Sequence, residues 1–195
     1  VDSSSNIVGD EIEYFTVFKN SYLDQIPNLI VFGDSLSDMG NAKNSILNVP
    51  DVPPYWDNRF SNGKVWIDYV SEYYGVSTSI GSGSQAGDNR AFGGSQTGQG
   101  YSYFVLPNVG TQINNYLADV QANIPSDNIV SLWAGGNDFL YGTANSDTII
   151  ANVESHIRQL VGAGANELII PNLPPLEKTP EGLSRTQNQQ NEMSS

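Results

Sequence analysis

Three short blocks of this sequence carry residue types that can do acyl chemistry together. Gly33-Asp34-Ser35-Leu36-Ser37-Asp38 offers a serine hydroxyl in a glycine-edged turn. Asn89-Arg90-Ala91-Phe92-Gly93-Gly94 ends in two glycines, which let backbone approach a substrate with no Cβ in between. Gly135-Gly136-Asn137-Asp138 supplies an asparagine whose amide can serve as a fixed donor. A serine nucleophile beside N–H donors is what acyl transfer requires, because the donors stabilise the oxyanion of the tetrahedral intermediate.

Each block follows an apolar run that reads as a strand or as a lead-in to the site. Leu29-Ile30-Val31-Phe32, stopped by Gly33, has the continuous apolar character of a strand buried on both faces. Ile129 through Ala134 is a second such run, and Leu168-Ile169-Ile170 a third, while Val76–Ile80 is a weaker strand candidate. Between them, apolar residues recur at helical spacing. Val65, Trp66, Tyr69, Val70 and Tyr73 form one set, with Gly75 as its stop. Val109, Ile113, Tyr116, Leu117 and Val120 form the next, and the last spans about residues 146–162. Strands alternating with helices predict an α/β fold with a mostly parallel sheet and helices on both faces. In such sheets the chemistry sits at the carboxyl ends of the strands, where the three blocks lie.

The remaining chain is less regular. Residues 1–27 read as a lead-in, 41–63 and 81–89 as loops, and Pro180–Ser195 as the start of a helix or a frayed tail. Asp34, Asp38 and Asp138 are expected to hold turns or cap helices. Tyr55, Trp56, Phe60 and Trp66 either pack the 41–63 loop onto the body or line a pocket.

Composition removes several functions. The 195 residues include 21 acidic and 8 basic side chains, a formal charge of −13 that opposes nucleic acid and anionic lipid alike. There is no cysteine, hence no disulfide, thiol nucleophile or thiolate metal site. One histidine cannot build a multi-imidazole zinc site, and no loop has EF-hand spacing, so no metal and no cofactor is expected. No apolar run reaches the ~18 residues of a membrane span. The acidity, the absent cysteine and the polar ends point to a secreted or cell-surface protein.

The three blocks, with Asn172-Leu173-Pro174-Pro175-Leu176, resemble the GDSL, or SGNH, family of serine esterases and lipases from about Asn28 to Thr179. Pro53-Pro54-Tyr55 and Arg59-Phe60-Ser61-Asn62-Gly63 are similar to its bacterial secreted branch of esterases, phospholipases and hemolysin-like enzymes. The resemblance implies a three-layer α/β/α, flavodoxin-like fold with sheet order 2-1-3-4-5. It implies Ser35 as nucleophile, with the Ser35 N–H, the Gly94 N–H and the Asn137 side chain forming the oxyanion hole, and an ester or lipid as substrate. Gly94 is taken over Gly93 because the family's glycine follows the block's asparagine by five residues.

The family's general base lies in a C-terminal Asp-x-x-His block, and that block is absent here. The single histidine, His156, falls inside the helix over 146–162, which is the wrong place for the base. The expectation is therefore an incomplete hydrolase domain over residues 28–195, lacking the fifth strand and the C-terminal helix. A later segment or a second polypeptide would supply the Asp and the His. The competing reading is a non-catalytic binding protein or an inert fragment that keeps the fold without the base.

Overall fold

The computed structural model describes residues 28–75, 80, 89–142 and 145–194. The lead-in over 1–27, most of the 76–80 strand candidate and nearly all of the 81–89 loop lie outside the described residues.

Strand β1 (Leu29–Gly33) is fully buried. It pairs in parallel with β4 (Ile129–Trp133), Leu29 opposite Ile129 and Gly33 opposite Trp133. On its far side β4 pairs in parallel with β5 (Glu167–Ile169). This β1-β4-β5 order is the order expected for the first, third and fourth strands. Beyond the other edge of β1 the arrangement is less direct. Asn89 bridges Val31 on one side and Ile80 on the other, both in parallel. The Arg90 and Phe92 amides donate to the Val31 and Gly33 carbonyls at 2.8 and 3.2 Å. The second sequence block therefore rides on β1 itself as a short extra strand.

Alternation along β1 sorts its side chains to two faces, as strand pleating requires. Ile30 and Phe32 join Val130 and Leu132 under two helices. These are α2 (Val109–Asp119), which contributes Val109, Ile113, Tyr116 and Leu117, and α4 (Ser146–Gly162), which contributes Leu160. Leu29 and Val31 face the opposite way, onto Val65, Ile67 and Ala91, with Trp66 and Val70 of α1 (Trp66–Tyr74) packed alongside. Helices on both faces of a parallel sheet make the expected α/β/α arrangement.

The helix ends follow local chemistry. Gly75 stops α1 in the left-handed region, at φ 65°. The Asn145 side chain caps α4 by accepting the Thr148 amide. Two short pieces were not evident from hydrophobic periodicity. A hairpin joins β2 (Tyr101–Ser102) to β3 (Leu106–Pro107), and α3 (Gly136–Tyr141) follows β4 directly. After β5, a 3₁₀ turn (Leu176–Lys178) leads to α5 (Pro180–Leu183) and α6 (Gln187–Met193), so the polar end of the chain is largely helical.

Phe32 is fully buried and meets the Tyr116 ring edge-on at 5.5 Å between centroids. Phe32→Ala removes the largest fully buried side chain among the described residues and is expected to cost about 3–5 kcal/mol in urea unfolding. A loss below ~1 kcal/mol would mean that this layer is not packed as described.

Candidate active site

Ser35 sits half-buried two residues beyond the end of β1, after Asp34. The turn around it is built by Asp34. The Leu36 amide donates to Asp34 Oδ1 at 3.0 Å, and the Ser37 and Asp38 amides donate to the Asp34 carbonyl at 3.1 and 3.0 Å. Gly33 makes the tight exit from the strand possible. A Cβ on it would lie 2.4 Å from the Trp133 carbonyl oxygen of the neighbouring strand, and its φ is 155°.

Asp38 joins this turn to the glycine block. Its fully buried carboxylate takes the Gly40 and Asn41 amides on Oδ1 at 2.7 and 2.6 Å. On Oδ2 it takes the Ala42 amide at 3.1 Å and, from 55 residues away, the Gly93 amide at 2.8 Å. Asn89 adds a second tie, donating Nδ2 to the Ser37 carbonyl at 2.8 Å. Asn41 donates to the Asn89 and Ala91 carbonyls, both at 2.9 Å. The Trp66 indole donates to Ser37 Oγ at 3.0 Å.

Both glycines of the second block are needed. A Cβ on Gly93 would overlap the Phe60 ring at 2.2 Å. Gly94 has φ 80°, and its Cβ would lie 2.7 Å from the Tyr103 ring. The third block meets the second here. Asn137, buried in the first turn of α3, donates Nδ2 to the Ser95 carbonyl at 2.9 Å, one residue after Gly94. Its neighbour Asp138 accepts the Thr97 amide at 2.9 Å and the Thr97 hydroxyl at 2.7 Å. Ser35, Gly94 and Asn137 thus stand on three segments tied to one another: Asp38 links the first to the second, and Asn137 and Asp138 link the second to the third.

His156 takes part at one remove. It is buried in α4, with Nε2 2.7 Å from the Thr97 carbonyl. A carbonyl only accepts, so Nε2 carries the proton in this contact. Asn152 donates to Thr97 Oγ1 at 3.0 Å. The histidine supports the segment that holds Asp138.

Gln112 is the residue that the sequence reading missed. Its Oε1 accepts the Gly33 amide at 3.0 Å. Its Nε2 lies within 2.9–3.0 Å of the Gly33 carbonyl, Ser95 Oγ and the Pro107 carbonyl. One buried amide therefore links the end of β1, the glycine block and the β2–β3 hairpin. The available signal was its position, because Gln112 falls on the apolar stripe of α2, between Val109 and Ile113.

The electrostatics are those of buried acids. Burial pushes the Asp34 carboxyl up to about 6; the Leu36 amide opposes this, and the charges of Asp138 and Asp38 add to it. Burial also raises Asp38, against the pull of its four amide donors, and raises Asp138 against the pull of Thr97. Among the described residues no group of three or more His, Asp or Glu side chains could hold a metal ion.

The fold is that of an α/β protein in which a serine on a tight turn after the parallel strand β1 stands beside a glycine loop and a helix-borne asparagine. The chain belongs to the GDSL-like lipase/acylhydrolase family, whose sequence profile matches residues 29–195. It is 31% identical over 170 residues to a phosphatidylcholine-sterol acyltransferase of Aeromonas hydrophila, covering 80% of this chain and 47% of that protein. It is 30% identical over 171 residues to the thermolabile hemolysin of Vibrio parahaemolyticus, covering 85% of this chain and 38% of the hemolysin. A match of 31% over 172 residues, 84% of this chain and 39% of the relative, relates it to the secreted effector protein SseJ of Salmonella typhimurium. The chain spans less than half the length of each of these relatives.

Gln112→Leu keeps the size of the side chain but orphans the buried Gly33 amide, so a loss of about 1–3 kcal/mol is expected in urea unfolding. Unchanged stability would remove Gln112 from its linking role. Asp34 gives a pH signature. Its folded carboxyl binds a proton more tightly than the ordinary value of 3.8. The folded state therefore holds more protons than the unfolded state between about pH 4 and 6, and stability falls as pH rises through that window. The full effect is of order 3 kcal/mol. Asp34→Asn should flatten that fall when urea unfolding at pH 4 and pH 7 is compared; an unchanged slope would place the proton elsewhere.

Proposed function

We propose that this chain carries the nucleophile and oxyanion donors of a serine ester hydrolase acting on acyl esters, lipids included. Ser35 Oγ attacks the ester carbonyl. The N–H groups of Ser35 and Gly94 and the Asn137 amide stabilise the resulting oxyanion; the base takes the Ser35 proton and returns it to the alcohol as the ester bond breaks, and water then hydrolyses the acyl-Ser35 to the carboxylic acid and free serine. The observation that carries this reading is the carboxylate of Asp38, at the end of the Ser35 turn, which accepts the Gly40 amide just after that turn and the Gly93 amide at once. That tie holds a hydroxyl and a glycine loop in one place without any substrate present, and such preorganisation is what oxyanion stabilisation needs.

The base is assigned by family resemblance to an Asp-x-x-His block that these 195 residues do not contain. His156 is engaged with Thr97, so the reading takes the Asp and the His from a C-terminal segment or a second polypeptide. Family membership supports ester substrates, and the names of the acyltransferase and hemolysin relatives are in keeping with lipids. Secretion is part of the same proposal, supported by the relative named a secreted effector protein. No helix among the described residues is long and apolar enough to cross a membrane.

A fluorophosphonate probe should label Ser35 in the full protein, and Ser35→Ala should lose both labelling and p-nitrophenyl ester hydrolysis. Asn137→Ala should lower kcat by roughly 10²–10³ with KM little changed, the usual loss for one oxyanion donor. Labelling at another residue, or full turnover by Ser35→Ala, would overturn the assignment. Absent labelling would leave a fold without an activated serine.

A further inference from the structure

The β2–β3 hairpin breaks the rules of a stable turn. The Val105 amide donates to the Ser102 carbonyl at 3.2 Å and closes a four-residue turn. Its two central residues, Tyr103 and Phe104, both have positive φ, 50° and 68°. Positions of this kind ordinarily hold Asn and Gly, because a Cβ is strained there. Here they hold two large aromatic residues. Among the described residues nothing covers Phe104, which is 97% exposed. Tyr101 and Tyr103 are also well exposed, at 58% and 60%. A strained turn that presents apolar rings to water gains nothing for stability and marks a surface with another use.

Its position says what that use is. The Tyr103 ring lies against Gly94, so the hairpin stands directly over the candidate oxyanion loop. Gly94, Tyr101, Tyr103, Phe104 and Tyr141 line one open cleft of about 480 Å³, and no residue lining it carries a formal charge. Arg185 lies over the Tyr141 ring at 5.9 Å, but its guanidinium is paired with Glu181 and the Leu140 carbonyl. The chain as a whole carries −13, which disfavours an anionic surface. Exposed Tyr and Phe rings with no free cation beside them suit the boundary between headgroups and acyl chains of an uncharged membrane, where amphipathic rings partition well.

We infer that the Tyr103–Phe104 hairpin tip is a docking element that inserts into the surface of a zwitterionic phospholipid layer and holds the mouth of the Ser35 site against it. This rests on the reading of Ser35 and Gly94 as parts of an ester-hydrolysing site. Insertion buries the Phe104 ring, which the fold leaves in water, and brings ester groups near the headgroup level within reach of the cleft.

The test is vesicle binding by the full protein in a Ser35→Ala background, so that no lipid is consumed. Flotation with phosphatidylcholine vesicles should show binding. Phe104→Gly should weaken it about tenfold or more, as loss of one buried aromatic side chain requires. The same variant should melt at the same or a higher temperature, because glycine suits φ 68°. Phe104→Trp should show a blue-shifted emission on adding vesicles. Absent binding, or binding indifferent to Phe104→Gly, would overturn the inference. So would stronger binding to phosphatidylglycerol vesicles than to phosphatidylcholine, or a dimer in sedimentation velocity that Phe104→Gly dissociates. Probe labelling of Ser35 is read separately: its failure removes the ester-hydrolase reading, while the vesicle result still decides the role of the tip.

Discussion

The carboxylate of Asp38 is the contact on which the rest of the site depends. It is fully buried, and it is held by four backbone amides rather than by a cation. Three of those amides come from residues 40–42, which follow the Ser35 turn, and the fourth is Gly93. A buried acid left unpaired is costly, so a conformation that separates these segments strips the carboxylate of its donors. The Ser35 turn and the glycine loop therefore move together or not at all. Asn89 and Asn41 repeat the logic with neutral amides, tying the same segments through carbonyls of the chain.

The same principle runs deeper into the fold. Gln112 clamps both polar groups of Gly33, the last residue of β1, and reaches Ser95 and Pro107 with the same amide. Asp138 clamps Thr97, and His156 and Asn152 brace Thr97 from α4. The site is a set of loops made rigid by buried polar side chains, each answering backbone groups that strands and helices leave unused. Burial is the main reason that the Asp34 carboxyl is raised, and the nearby charges of Asp138 and Asp38 add to it. The acidity visible across the whole chain has a concentrated counterpart inside it.

Much of the frame was legible from the sequence. Leu29–Phe32 is apolar on both faces because β1 is covered on both sides. The helix expected over about residues 146–162 corresponds to α4, marked by its long apolar stripe. Placement of Ser35, Gly94 and Asn137 at strand ends followed from the parallel α/β pattern. Gln112 was hidden because a polar residue within an apolar stripe looks like an interruption until its partners are known. The 89–92 segment pairs with β1 through backbone atoms alone, which no hydrophobic period records. The hairpin at 101–107 uses aromatic residues where turn chemistry calls for Asn and Gly, so its local signal pointed away from a turn.

The sequence by itself determined the alternation of strands and helices and the family, because these depend on local pattern and on short runs of residues. Only the tertiary structure decided which long-range contacts hold the three blocks together. Asp38 and Gly93 are 55 residues apart, and Gln112 and Gly33 are 79 apart. Such pairs arise when a buried polar group must find a partner in a packed interior, and the partner is whichever backbone the fold brings near. The exposure of Phe104 was decided in the same way, by a turn whose geometry leaves its ring with nothing to pack against.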